Sequence, residues 1–185
     1  MKTMKTTFKL YALAFLSLTL FSCDPNDDNN PPATVAEANN FKIGNNTYPM
    51  ARGFRTGSEM DSPGLFVTFA VLTSDRITLD ANQELAGTGN IVVFEFYTAL
   101  NNGLQPGVYN LDNVNDQAQT VYVYTGVGYD GSTGNAASPD DIFEGTITVE
   151  ALAGGNFKIT GRGRADDADA TFTVNYTGAL QLVNQ

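Results

Sequence analysis

Tyr122 and Tyr124 stand two residues apart in the run "TVYVYTGVGYD", with Tyr129 just beyond. In an extended strand that spacing puts Tyr122 and Tyr124 on one face, where they could serve as an aromatic platform for sugar rings or wall a ligand cavity. Glu95 interrupts the apolar run "IVVFEFYT". Such a carboxylate could act as a general acid or base, although an ion pair with Arg52, Arg55 or Arg76 is the simpler reading. Oxygen-rich stretches recur at Asp112 to Asp116, at Tyr129 to Asp141 and at Ala165 to Ala170. Calcium takes six to eight oxygens, which makes Asp130, Asp140 and Asp141 the candidate cation ligands. Asp and Asn are equally standard turn residues, and no stretch has the spacing of a helix-loop-helix calcium site.

The chain has no His and no Trp. A Ser-His-Asp triad, a Cys-His pair and a His-built zinc site are therefore excluded. No second carboxylate can be assigned to Glu95, which leaves a glycosidase pair unsupported. The expectation is a non-catalytic protein.

The elements that must hold these residues read as strands. From Phe41 onward, apolar residues alternate with period two between Gly, Asn and Asp clusters, with no long helical period. Strands are expected at Phe41 to Ile43, Tyr48 to Phe54, Leu65 to Thr73, Ile91 to Thr98, Val108 to Leu111, Thr120 to Thr125, Ile142 to Leu152, Phe157 to Arg164 and Thr171 to Leu180. The predicted class is all-β, a single antiparallel meander of about 8–9 strands forming a β-sandwich or a lipocalin-like barrel. Parity in the last three strands directs Ile147, Val149, Phe157, Ile159, Phe172, Val174 and Tyr176 inward. It sets Glu150 opposite Lys158, Glu144 opposite Arg164 and Arg162 opposite Thr173, across a three-residue turn at Ala153 to Gly155. Leu65 to Thr73 and Ile91 to Thr98 are apolar on both faces, which predicts central strands or a covered second side.

Ahead of this domain, Lys2, Lys5 and Lys9 precede an apolar run of twelve residues, Leu10 to Phe21. That is a secretory leader's charged head and hydrophobic middle, too short to span a bilayer. Leu20-Phe21-Ser22-Cys23 resembles a bacterial lipobox, and the chain's one cysteine would then carry the lipid. Residues 1–22 are expected to be a signal peptide, 23–40 a flexible acidic tether and 41–185 the β domain. Removing the leader leaves seven basic groups against twenty acidic ones. That balance disfavours nucleic acid and anionic lipid as partners. Acyl chains on Cys23 would hold the protein on a membrane, at about 0.8 kcal/mol per buried methylene.

The segments "FKIGNNTYPMARGF", "GTGNIVVFEFYT", "LQPGVYNLD" and "GTITVEALAGGNFKITGRGRADDADATFTVNYTGAL" occur in an order similar to that of small surface lipoproteins of Bacteroidota. The resemblance spans roughly residues 41–182. It implies an outer-membrane, surface-exposed protein with a lipocalin-like or sandwich β domain, and it carries over no catalytic residue. The acidic cluster behind Cys23 likewise resembles the surface-export signal of that group, whereas Asp24 taken alone resembles the inner-membrane retention signal of other Gram-negative bacteria; the outer surface is the expectation. Three roles are expected to compete: binding a glycan or other extracellular ligand through Tyr122, Tyr124 and Tyr129, on the tyrosine face or on the long loop Tyr129 to Asp141; carrying a small apolar molecule as a calycin does; and serving as a structural or partner-binding component of an outer-membrane complex.

Overall fold

The alternating pattern is realised as thirteen strands in the computed structural model, which describes residues 38–112 and 114–183. The expected leader, Cys23 and the tether up to residue 37 lie outside the described residues. Strands β1 (Asn40–Ile43) and β2 (Asn46–Pro49) form a hairpin, while β3 (Arg52–Arg55) and β4 (Glu59–Ser62) both lie along β5 (Leu65–Thr73). Next come the small hairpin β6 (Thr78–Leu79) and β7 (Leu85–Ala86), then β8 (Thr88–Thr98), β9 (Gly107–Leu111) and β10 (Thr120–Asp130). The chain finishes with β11 (Asn135–Ala151), β12 (Asn156–Ala165) and β13 (Ala170–Leu182).

Seven of these strands pair in a closed ring: β3, β5, β8, β10, β11, β12, β13 and back to β3. Closure removes the unpaired edges that an open sheet would expose. Neighbours around the ring run antiparallel, as expected, except at the seam, where Leu180 to Leu182 of β13 run parallel to Gly53 to Arg55 of β3. An odd number of alternating strands forces this: the first and the seventh must point the same way. A second parallel contact arises where β9 wedges between the diverging ends of β10 and β11, Asn110 meeting both Thr120 and Thr146. The expected single antiparallel meander is thus a mixed sheet at these two places.

Inward side chains fill the ring. Phe41, Phe94, Phe96, Tyr109 and Phe172 are fully buried, with Val92, Val121, Val123, Ile142, Ile147 and Ile159. Phe96 packs edge-on against Tyr109 at 4.8 Å between centroids and stacks on Phe94 at 5.5 Å. Burying one such ring contributes about 1.5–3 kcal/mol, so this aromatic column adds several kcal/mol to the core. Tyr109 keeps its hydroxyl satisfied by donating to the Gln105 carbonyl at 2.8 Å, and burial pushes its pKa up to about 12.

Strands β5 and β8 are apolar on both faces because their outer side is also covered. Leu65, Val67 and Tyr97 form a second buried cluster with Phe69. Leu79 and Leu85 from the β6–β7 hairpin stand over Phe54, Phe69 and Val71 around a cleft of about 220 Å³. The short strands β4, β6 and β7 lack a readable alternation, so the sequence did not reveal them.

Three expectations about local structure are corrected. Tyr48 to Phe54 is two strands, because β2 pairs with β1 whereas β3 belongs to β5 and β13. Glu144 does not face Arg164: Phe143 does, and Thr146 faces Arg162, leaving Glu144 and Gly145 together opposite Gly163 alone. That bulge is a two-against-one insertion, with Glu144 at φ 54°. The extra residue reverses the parity, so Ile142 and Ile147 both point inward. Finally, Tyr129 to Asp141 is no long loop but the tip of the β10–β11 hairpin, turning at residues 131–134. Its Asn, Ala, Ser and Pro residues carry no alternation to reveal the strand. Elsewhere the predicted register holds: Glu150 meets Lys158 at 3.1 Å and Arg162 pairs with Thr173. The turn between them places Gly154 and Gly155 at φ 73° and 76°.

Candidate functional site

Around β5, β8 and β10 the outward positions form cross-strand rows. Phe69, Glu95 and Tyr122 make one row; Val71, Val93, Tyr124 and Asp141 make the next. Inward neighbours such as Phe94 and Val123 are fully buried, which fixes these rows outside the ring. Tyr122 and Tyr124 share the outer face and are half-buried, as their spacing required.

Tyr97, two residues after Glu95, joins them. A cavity of about 220 Å³ is lined by Glu95, Tyr97, Asp112, Asp116 and Tyr122. The Tyr97 hydroxyl donates to Glu95 Oε2 at 3.3 Å, and that of Tyr122 donates to Asp141 Oδ1 at 2.5 Å. No arginine answers Glu95, contrary to the expected ion pair. The two ion pairs among the described residues, Lys158–Glu150 and Arg164–Asp169, lie elsewhere, and β4, β5, β8, β9, β10 and β11 contain no Lys or Arg at all.

The electrostatics follow from this one-sided charge. Partial burial pushes the Glu95 carboxyl above its ordinary range, the hydrogen bond from Tyr97 opposes that, and the fields of Asp116 and Asp61 add to it. Burial first, then the charge of Glu95, drives the Tyr97 hydroxyl far above the usual tyrosine value; burial and the bond to Asp141 do the same for Tyr122. Both phenols therefore stay protonated. Asp112 is held below the usual carboxylate range by the backbone N–H groups of Val114 and Asn115. The result is a wall of acceptor oxygens beside aromatic faces, suited to a ligand rich in hydroxyl donors.

The other sequence-predicted residues are not gathered here. Tyr129 lies past a left-handed Gly128, φ 69°, and lines a different cleft of about 640 Å³ with Met50, Arg76 and Asn90. The three candidate cation ligands have separate duties. Asp130 closes the hairpin turn by accepting from the backbone N–H and hydroxyl of Ser132 at 2.9 and 2.8 Å. Asp140 is buried and accepts from the N–H groups of Asp167 and Ala168 at 2.9 and 3.0 Å, clamping the β12–β13 turn. Asp141 takes the Tyr122 hydroxyl. Among the described residues no group of three or more Asp, Glu, Cys or His side chains could hold a metal ion.

Sequence reasoning missed Tyr97, Asp112 and Asp116 as partners of Glu95. Tyr97 was legible, since it shares a strand face with Glu95. Asp112 and Asp116 were not, because a turn sequence does not reveal where its loop folds back. No protein-family model, curated protein or solved structure matches this chain.

Proposed function

We propose that this is a lipid-anchored, cell-surface, non-catalytic binding module whose outer β8–β10 face takes a glycan. The observation that carries the reading is the cavity between Tyr97 and Tyr122, where carboxylates without a basic neighbour face aromatic rings. Sugar hydroxyls donate to Glu95, Asp112 and Asp116, while the apolar face of a pyranose ring lies against Tyr122. The cavity is small enough for one or two sugar units and opens on the surface, so a longer chain can pass over it.

The carrier alternative draws no support from the ring interior, which is occupied by Phe41, Phe94, Phe96, Tyr109 and Phe172.

Thermal unfolding against a panel of neutral polysaccharides, fatty acids, small hydrophobes and calcium separates these roles, since a ligand that prefers the folded state raises the midpoint. A shift with polysaccharide alone is expected. A shift with fatty acid or calcium and none with polysaccharide contradicts the reading.

A further inference from the structure

The seven basic residues that follow the expected leader are unevenly placed. Only Arg76 lies between Arg55 and Lys158, whereas Lys42, Lys158, Arg162 and Arg164 all belong to β1 and β12. The register gathers these four on one surface. Arg162 pairs with Thr173 of β13, and Thr173 pairs with Lys42 of β1. On the other side of Arg162 the row continues into Thr146 of β11, and the adjacent row places Thr160 beside Thr148. The alternate residues Phe41, Ile147, Ile159 and Phe172 are fully buried, so these rows face outward.

Two of the four cations are already answered. Lys158 meets Glu150 at 3.1 Å; Arg164 meets Asp169 at 3.4 Å and lies over the Phe143 ring at 4.9 Å. Lys42 and Arg162 form no ion pair among the described residues, and both are exposed. With neighbouring strands about 4.8 Å apart, their backbones stand about 10 Å apart across Thr173. A shallow cavity of about 490 Å³ lies over Lys42, Thr160, Thr173 and Asn175.

We propose that this β11–β12–β13–β1 face docks an acidic polysaccharide, with Lys42 and Arg162 meeting its carboxylate or sulfate groups and the threonine rows meeting its hydroxyls. Charge complementarity selects the anion: Lys42 and Arg162 stand in one outward row with no ion pair among the described residues, whereas Arg52, Arg55 and Arg76, which also form none, lie on β3 and in the β5–β6 connection. The hydroxyl rows select a sugar polymer over single-stranded nucleic acid, whose bases stack on aromatic faces, since the Phe143 ring on this surface is already taken by the Arg164 guanidinium. Screening limits the field to about a Debye length, roughly 8–10 Å at physiological salt, so the face acts on a ligand in contact with it. The inference is independent of the Tyr122 surface: the two sites share strand β11 but no residue, Asp141 lying before the bulge and Thr146 and Thr148 after it.

The test is a binding titration of the chain as purified from cells, with alginate as the acidic polymer and phosphatidylglycerol vesicles as the competing anion. Alginate is expected to bind, more weakly as salt rises. The double variant Lys42→Ala, Arg162→Ala should weaken binding about fivefold to tenfold, as two exposed charge contacts allow. The exchange Lys42→Arg, Arg162→Lys should restore it, and Met60→Ala, an exposed change on β4 away from both faces, should leave it unchanged. No alginate binding, binding that the double variant leaves intact, or binding to vesicles without alginate overturns the proposal. Both altered side chains are exposed, so unfolding does not mimic the loss.

Discussion

Tyr122 donates its phenolic proton to Asp141 at 2.5 Å, from one strand of the β10–β11 hairpin to the next. The contact is diagonal, since the register pairs Asp141 with Tyr124 and not with Tyr122. It pins the ring of Tyr122 beside Glu95 and leaves its face exposed to a ligand. Two residues that the sequence suggested for different jobs, an aromatic platform and a cation site, are therefore one device. Asp141 orients the tyrosine.

The charge at Glu95 should make stability depend on pH in an unusual direction. Its folded-state pKa is raised above the ordinary value, mainly by burial, so between the unfolded and folded pKa the native state holds more protons than the unfolded one. Stability then falls as pH rises through that window and stays lower above it. Glu95→Gln removes the effect. The variant should melt at a higher temperature than the parent at neutral pH, and the difference should vanish once the pH drops below the ordinary carboxylate range, as paired thermal melts would record.

Asp140 is expected to be structural. It is buried and accepts two backbone N–H groups from the β12–β13 turn. Replacing it with Ala leaves those donors without their acceptor and should cost about 1–3 kcal/mol in chemical denaturation. Amide exchange at Asp167 and Ala168 should accelerate. An unchanged denaturation midpoint would show that the clamp contributes nothing.

The bulge at Glu144 and Gly145 should tolerate no side chain at Gly145, since a Cβ there would fall on the carbonyl oxygen of Arg162. Gly145→Ala is expected to destabilise by about 1–3 kcal/mol, as strain in a packed backbone does. Gly154→Ala, at an exposed turn with φ 73°, should cost less, near the 1 kcal/mol of a left-handed alanine. Urea denaturation of the two variants gives the comparison.

Much of the ring was legible because alternation is enforced wherever one face must be buried. Phe172, Val174 and Tyr176 point inward as their spacing demands, and the Glu150–Lys158 pair follows from counting through the turn. The β10–β11 hairpin tip was hidden for the opposite reason. Residues 135–141 bury only Asp140 and a part of Ala136, so nothing in their order distinguishes strand from loop. The bulge at Gly145 hid itself differently, by reversing the parity that the counting relies on. At the site, strand spacing found Tyr122, Tyr124 and Glu95, but the arrival of Asp112 and Asp116 depends on how a loop packs. Periodicity carries no information about that.

Isothermal titration of a neutral polysaccharide into the parent protein and into Tyr122→Ala tests the central claim most directly. The account predicts measurable heat of binding for the parent and a loss of about 1–3 kcal/mol in the variant, the size of the loss when an aromatic side chain stacked on a nucleic-acid base is removed, with the variant's melting temperature close to the parent's. Equal affinity in the two proteins, or no binding by the parent to any neutral polysaccharide tried, would contradict it.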